Sequence, residues 1–352
     1  MTPPGGSGPA ASRRSVVLAA TAAAAGFGIP AAGPARGGGG GAAFDSAALA
    51  ATALGFPSRP VRFVVPFAGG GATDATARLL AEAVAPALGV PVVVDNRPGV
   101  GGARGAEIVA RAEPDGHTLL VCTVGTAAIN PHLYPSLPYD PERDLAAVAL
   151  VSAVPNGIIV PAGGPAGTAA ELLVLGRSRP LVFGSPGNGT SGHLTGEYLG
   201  FRHGVAMTHV PYRGTGQLVP DLVAGRLDMA VDNLPAYLPQ VRAGRLRLLV
   251  VTSARRWGAV PEVPTVAEAG GVPDFEAVAW FGLQAPARTP APLVARLAGV
   301  VLDALDGPGL AGALREIGSE PRPLGPEAFA GFIAAENEKW RAVVRASGAR
   351  PD

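Results

Sequence analysis

From about residue 60 to its end the chain alternates segments patterned as buried strands with segments patterned as helices, and at two strand-to-helix junctions it places a glycine-rich turn. That alternation implies an α/β architecture with largely parallel sheets. Strand-like runs fall at Val61–Val65, 90–94 and 118–122, with helices over 75–88 and 102–111 between them. A long apolar stretch over 146–160, broken by Pro155-Asn156-Gly157, precedes a second series. It comprises strands over 181–184, 206–210, 229–232 and 247–252, and helices over 192–201, 217–224 and 235–243. A strand over 276–284 and helices over 290–306 and 327–347 close the chain. A length of 352 residues suffices for two cores. Two similar series imply two lobes, with the apolar segments near Val154 and Phe281 as the crossings between them. Ligands of open parallel sheets sit outside the carboxyl ends of the strands. Two lobes facing each other there form a cleft that closes by hinging.

The first glycine turn is Pro66-Phe67-Ala68-Gly69-Gly70-Gly71-Ala72-Thr73-Asp74. Its glycines let a ligand approach bare backbone. Thr73 or Asp74 can cap the helix that follows, and its remaining amides point outward at the positive end of the dipole. Such a turn receives anions, carboxylates included. Asp74 is expected to order the turn rather than touch the anion. The second turn, Ser185-Pro186-Gly187-Asn188-Gly189-Thr190-Ser191-Gly192-His193, offers hydroxyls, an amide and backbone N–H groups but no cation.

Spacing argues against several chemistries. No Gly-Lys-Ser/Thr follows the first turn, so it is not a phosphate loop, and Arg104 occupies the third glycine position of the dinucleotide pattern in Gly99 to Gly105. A nucleophile elbow needs Gly-x-Ser-x-Gly, whereas Gly189-Thr190-Ser191-Gly192-His193 ends in His. Five histidines show no metal-ligand spacing, and only His193 lies in a candidate pocket loop, as a ligand contact or as part of the first helical turn. Tyr212 and Arg213 follow a strand, where Tyr212 is placed to cover a ligand. Asp232 ends another strand at the same edge, where it either accepts from a ligand amine or hydroxyl or caps the next helix. Arg97 is expected to pair locally.

Hydrophobic residues make up 48% of the chain and charged residues 16%, and the net charge of +1 gives no electrostatic case for nucleic acid. Ser12-Arg13-Arg14-Ser15 followed by an apolar run to about Ile29 and small residues through Ala43 has the form of a twin-arginine export signal. Residues 1–43 are accordingly assigned to a signal peptide and a Gly-rich linker. Cys122, the only cysteine, lies in an apolar strand and is expected to be a buried structural thiol.

Short motifs in a fixed order give the chain a further resemblance. They include Val64-Val65-Pro66-Phe67, Thr73-Asp74, Asn96-Arg97-Pro98-Gly99, Pro114-Asp115-Gly116, Ala128-Ile129-Asn130-Pro131 and Leu137-Pro138-Tyr139-Asp140-Pro141. They continue through Gly187-Asn188-Gly189, Val210-Pro211-Tyr212-Arg213-Gly214, Asp232-Asn233-Leu234-Pro235, Val263-Pro264-Thr265-Val266-Ala267-Glu268 and Lys339-Trp340. In these the chain resembles the Bug family, the TctC-like solute receptors of tripartite tricarboxylate transporters. The resemblance implies a type II periplasmic binding protein fold of two α/β lobes with a hinge and an interlobe cleft. It places residues 58–154 and 282–352 in the first lobe and 155–281 in the second. It implies a periplasmic, monomeric receptor, not an enzyme, that uses no cofactor or metal. Such a receptor binds a di- or tricarboxylate or an acidic amino acid and delivers it to membrane permease subunits. A ligand sensor feeding a signalling protein is the alternative, and a hydrolase using Ser191 or Asp232 the remote one. Carried over, the ligand-binding positions are Ala72, Thr73, Asp74, Thr123, Thr126, Asn188, Thr190, Ser191, Tyr212 and Asp232. The stretch 172–180 is shorter than the family's usual helix and turn, so a truncated first helix is expected in the second lobe.

Overall fold

The structure, a computed structural model, describes residues 55–273 and 275–351; the export signal and glycine tract expected over residues 1–43 lie outside the described residues. Among the described residues the first element is β1 (Val61–Val65), whose side chains are nearly all buried, and β1 pairs in parallel with β2 (Val92–Asn96) and β3 (Thr118–Thr123). Between them run α1 (Ala72–Leu88) and α2 (Ala103–Ala110). In α1 the residues Ala77, Leu80, Ala81, Val84 and Leu88 recur at helical spacing and are buried, so one stripe packs on the sheet. Gly89 ends it in the left-handed conformation, returning its N–H to the carbonyls of Ala85 and Pro86. A π-helical turn over 125–129 leads into the short α3 (Asn130–Leu133).

The 17-residue strand β4 (Leu145–Pro161) joins the two halves of the molecule. Its residues 145–155 pair antiparallel with β9 (Val278–Pro286), and its residues 156–161 pair antiparallel with strands of a second sheet. That sheet holds β5 (Leu181–Ser185), flanked in parallel by β6 (Met207–Pro211) and β7 (Met229–Asn233), with β8 (Leu246–Val251) on β4. Its helices are α4 (Ala169–Ser178), α5 (Ser191–His203), α6 (Thr215–Val223) and α7 (Leu238–Arg242). In the stretch where a short helix is expected, α4 has ten residues, and the Thr168 side chain caps it by accepting from the Glu171 N–H.

After β9, α8 (Ala291–Asp306), α9 (Pro308–Glu316) and β10 (Glu320–Leu324) return to the first lobe, β10 pairing with β4. The 22-residue α10 (Pro326–Ser347) then packs on both β4 and α5. Its buried Glu336 accepts hydrogen bonds from the indoles of Trp280 and Trp340, each 3.0 Å, and pairs with Lys339 at 3.3 Å.

Where the chain passes between lobes, three segments are tied together. Thr252 N–H donates to the Asn156 carbonyl (3.0 Å), Asn156 N–H donates to Thr252 Oγ1 (2.9 Å), and Thr252 Oγ1 donates to the Ala277 carbonyl (2.7 Å). Both Asn156 and Thr252 are fully buried. Cys122 is buried in β3, and desolvation pushes its thiol far above the ordinary range.

Candidate functional site

Three helices begin at one cleft, each after a glycine-containing turn that leaves a sheet. The first is α1. Its N-cap is Gly71, which offers no side chain, so the expectation of a Thr73 or Asp74 cap gives way to a different arrangement. Asp74 reaches back from the third helical position, and its Oδ2 accepts from Gly70 N–H (3.0 Å) and Arg78 Nε (3.1 Å). Its Oδ1 accepts from Asn96 Nδ2 (3.0 Å), whose amide also donates to the Phe67 carbonyl (3.0 Å). Burial alone would raise the Asp74 pKa, but the bonds from Arg78, Gly70 and Asn96 outweigh it and hold the carboxylate below its ordinary value. Both oxygens are therefore spent on the turn. The first intrahelical bond runs from Ala75 N–H to the Gly71 carbonyl, leaving the N–H groups of Ala72 and Thr73 without helical partners.

The second is α5. Thr190 caps it, accepting from His193 N–H (3.3 Å) and donating to the Gly187 carbonyl (2.7 Å). A Cβ at Gly192 would strike the Val231 carbonyl, so only glycine lets this helix start against β7. Ser191 donates to Asn156 Oδ1 (3.1 Å), which Asn233 Nδ2 also reaches (2.8 Å). The cleft wall thus connects directly to the crossing strands. The third is α6, which begins at Thr215 after Gly214. The Thr215 hydroxyl (2.7 Å) and the Tyr237 hydroxyl (3.0 Å) donate to Asp232 Oδ2, and Asn233 N–H (2.7 Å) donates to Oδ1. Asp232 is 2% exposed, and burial without a cation pushes its pKa up to about 6, although these three donors oppose the shift.

These turns enclose a cleft of about 480 Å³, mouth included. Of the ten expected residues, Ala72, Thr73, Asp74, Thr123, Thr190, Ser191 and Asp232 line it. Three others are placed elsewhere. Thr126 turns its hydroxyl back on Thr123, donating to the carbonyl (3.1 Å) and accepting from the N–H (3.0 Å), and is fully buried. Asn188 lies at the mouth, where its carbonyl accepts from the Tyr134 hydroxyl across the lobes (3.3 Å). Tyr212 points to Asp221, to which its hydroxyl donates (2.8 Å). Thr126 N–H donates to Thr123 Oγ1 (3.3 Å), which leaves the Thr123 hydroxyl proton available to a ligand. His193 also lies off the wall: its Nδ1 accepts from Gly189 N–H (3.3 Å) and its ring stacks on His209 at 4.2 Å.

Residues not named as binding positions from sequence complete the lining. Phe67, Val124, Pro186, Ala279 and Phe281 make much of it apolar, and Thr215 and Asn233 add polar atoms. Thr215 was legible as the residue after Gly214; Ala279 and Phe281 come from the returning strand β9, which the sequence marks only as an apolar crossing between lobes. Among the described residues, no Lys, Arg or His lines the cleft. Ser191 donates to an amide oxygen rather than to a base, so its hydroxyl is not arranged as a nucleophile.

The lobes touch across the mouth. Ala68 N–H donates to the Arg213 carbonyl (3.2 Å), and Gly101 abuts the Asn188 carbonyl. The conformation is closed.

A sequence model described as the tripartite tricarboxylate transporter family receptor, TctC, matches residues 76–349. Protein BugT of Bordetella pertussis is 36% identical over 298 residues, covering 84% of this chain and 91% of that protein. Rpa4515 of R. palustris, solved with adipate, superposes with a TM-score of 0.82 at 38% identity, over 84% of this chain and 100% of that one. MatC of Rhodopseudomonas palustris, solved with bound malate, gives 0.78 at 37% identity, over 82% and 100%.

Proposed function

This chain belongs to the tripartite tricarboxylate transporter receptor family, TctC, and from that premise we propose that it is a periplasmic receptor for a small dicarboxylate. It is exported by the twin-arginine route, binds its ligand without transforming it, and delivers it as a monomer to the membrane subunits of a transporter. The observation that carries this reading is the donor set of the cleft. The N-termini of α1, α5 and α6 converge there with the Thr73 hydroxyl and the hydroxyl proton of Thr123, and among the described residues no Lys, Arg or His lines the cleft. Helix N-termini hold a carboxylate through N–H groups and partial positive charge. The adipate and malate of the two structural neighbours support an organic acid with two carboxylates.

In this reading residues 58–154 with 282–352 form one lobe and 155–281 the other. The ligand's first carboxylate meets the N–H groups of Ala72 and Thr73 and the Thr123 hydroxyl. Thr190 and Ser191 present the α5 N-terminus from the opposite side, and the apolar walls receive the ligand's carbon chain. A ligand bridging both lobes favours the closed form by the contacts that only closure completes. Asp232 sits beside these groups as an acceptor, and a ligand hydroxyl would satisfy it without a second negative charge.

A thermal-shift panel of malate, adipate and other organic acids tests the reading. A ligand at 100 times its dissociation constant adds about 2.7 kcal/mol of stability, readily seen as a raised melting temperature. Replacing Thr73 by Val should reduce that shift. No saturable shift with any acid of the panel would overturn the proposal.

A further inference from the structure

Outside the carboxylate cleft, a separate concavity of about 690 Å³, its open mouth included, lies where the two lobes meet, lined by Asn96, Arg97, Pro98, Gly99, Arg104 and Arg213. Three of its six residues are arginines and none is acidic, although the whole chain carries a net charge of only +1. Arg97 is engaged by Asp95 at 2.9 Å. Arg104 and Arg213 are exposed, and their guanidinium groups have no ion pair or hydrogen bond among the described residues. The Arg104 stem packs over Gly99, where a Cβ would lie 3.5 Å from its Cδ, which holds the head group at the rim.

The arginines come from both halves of the fold. Arg97 and Arg104 follow β2 and begin α2, whereas Arg213 leads into α6. What brings Arg213 into place is the backbone bond from Ala68 N–H to its carbonyl, a bond between lobes. Opening the hinge breaks that bond and carries Arg213 away from the other two. The fourth polar wall is Asn96, whose amide holds the Phe67 carbonyl and Asp74 and so fixes the first glycine turn.

We propose that this concavity is a second, anion-binding site, for a small polyvalent oxyanion of which inorganic phosphate is the simplest member, and that it is complete only in the closed conformation. Planar guanidinium groups suit such an anion through paired N–H donors. An anion held by Arg213 on one side and Arg97 and Arg104 on the other acts as a strut for closure. By linkage, it raises affinity in the main cleft by the same factor that a cleft ligand raises affinity here.

The test uses purified protein and sodium phosphate with no carboxylate present, so its result is independent of what the main cleft binds. Calorimetric titration, against sodium chloride at matched ionic strength, is expected to show saturable binding at one site. Arg213→Gln and Arg104→Gln should each weaken it about tenfold or more, the size of one charge-assisted contact. Arg315→Gln, at an exposed arginine on α9, should leave it unchanged. Small-angle scattering should show phosphate reducing the radius of gyration of the unliganded protein but not of the Arg213→Gln variant. Heat no greater than chloride's, or binding insensitive to Arg213→Gln, overturns the site. Binding with no compaction overturns its dependence on closure.

Discussion

Replacing Asp232 by Asn should remove a specific pH dependence from the stability of the folded chain. Asp232 is buried beside three donors and no cation, and its pKa is raised from 3.8 to about 6. Between these values the folded state holds a proton on this group that the unfolded chain has released. Stability therefore falls as pH rises through the window. The contribution is fully present below the unfolded pKa and lost above the folded one. At 1.36 kcal/mol per pKa unit, the shift from 3.8 to about 6 corresponds to about 3 kcal/mol. The amide in its place still accepts from Thr215 and Tyr237, but its NH₂ faces the Asn233 N–H, which costs about 1–3 kcal/mol at every pH. The absolute stability of the variant thus says little, and the difference profile says everything. Urea denaturation of both proteins from about pH 3 to about pH 8 should show wild type losing about 3 kcal/mol relative to Asp232→Asn. Parallel profiles would refute the claim that this carboxyl is buried without charge compensation.

Gly101→Ala should weaken binding of any cleft ligand about tenfold or more while folding is retained, because the new methyl meets the Asn188 carbonyl of the opposite lobe when the lobes close; titration calorimetry checks it, and unchanged affinity would mean that the contact is not made on closure. Asp74→Ala should remove the acceptor that orders Gly70 and Asn96, with a stability loss of about 1–3 kcal/mol by chemical denaturation. The lowered Asp74 pKa gives the opposite sign to Asp232: its contribution is present above the ordinary carboxylate pKa and fades as pH falls through the folded value. Thr252→Val keeps the side-chain shape but strands the Asn156 N–H and leaves the Ala277 carbonyl only the longer bond from Asn156 Nδ2 (3.4 Å), and should cost about 1–3 kcal/mol in the same assay.

Much of the first lobe was legible locally. Val61–Val65 matches β1 residue for residue, because a short apolar run between turn residues admits few other conformations. Other strand edges slipped: residues 90–94 were expected where β2 spans Val92–Asn96. Pro91 and the parallel pairing to β1 set that register, and neither is visible in hydropathy. The helix α9 and the strand β10 were not anticipated at all, since Pro321 and Pro323 disguise an edge strand. In the site, the glycine turns announced themselves by composition. That Thr126 and Tyr212 turn away could not be read, because Thr126 is claimed by a π-helical turn and Tyr212 by Asp221 nine residues on.

By itself the sequence determined the alternation of strands and helices, the two glycine turns and the absence of nucleotide or triad spacing, since each depends on neighbours a few residues apart. The tertiary structure alone decided which groups share the cleft and how they are charged. The pKa of Asp232 depends on burial beneath Thr215 and Tyr237, and the arginine concavity exists because the Ala68–Arg213 bond joins two lobes. Desolvation and cross-lobe contact are properties of packing, and no linear spacing encodes them.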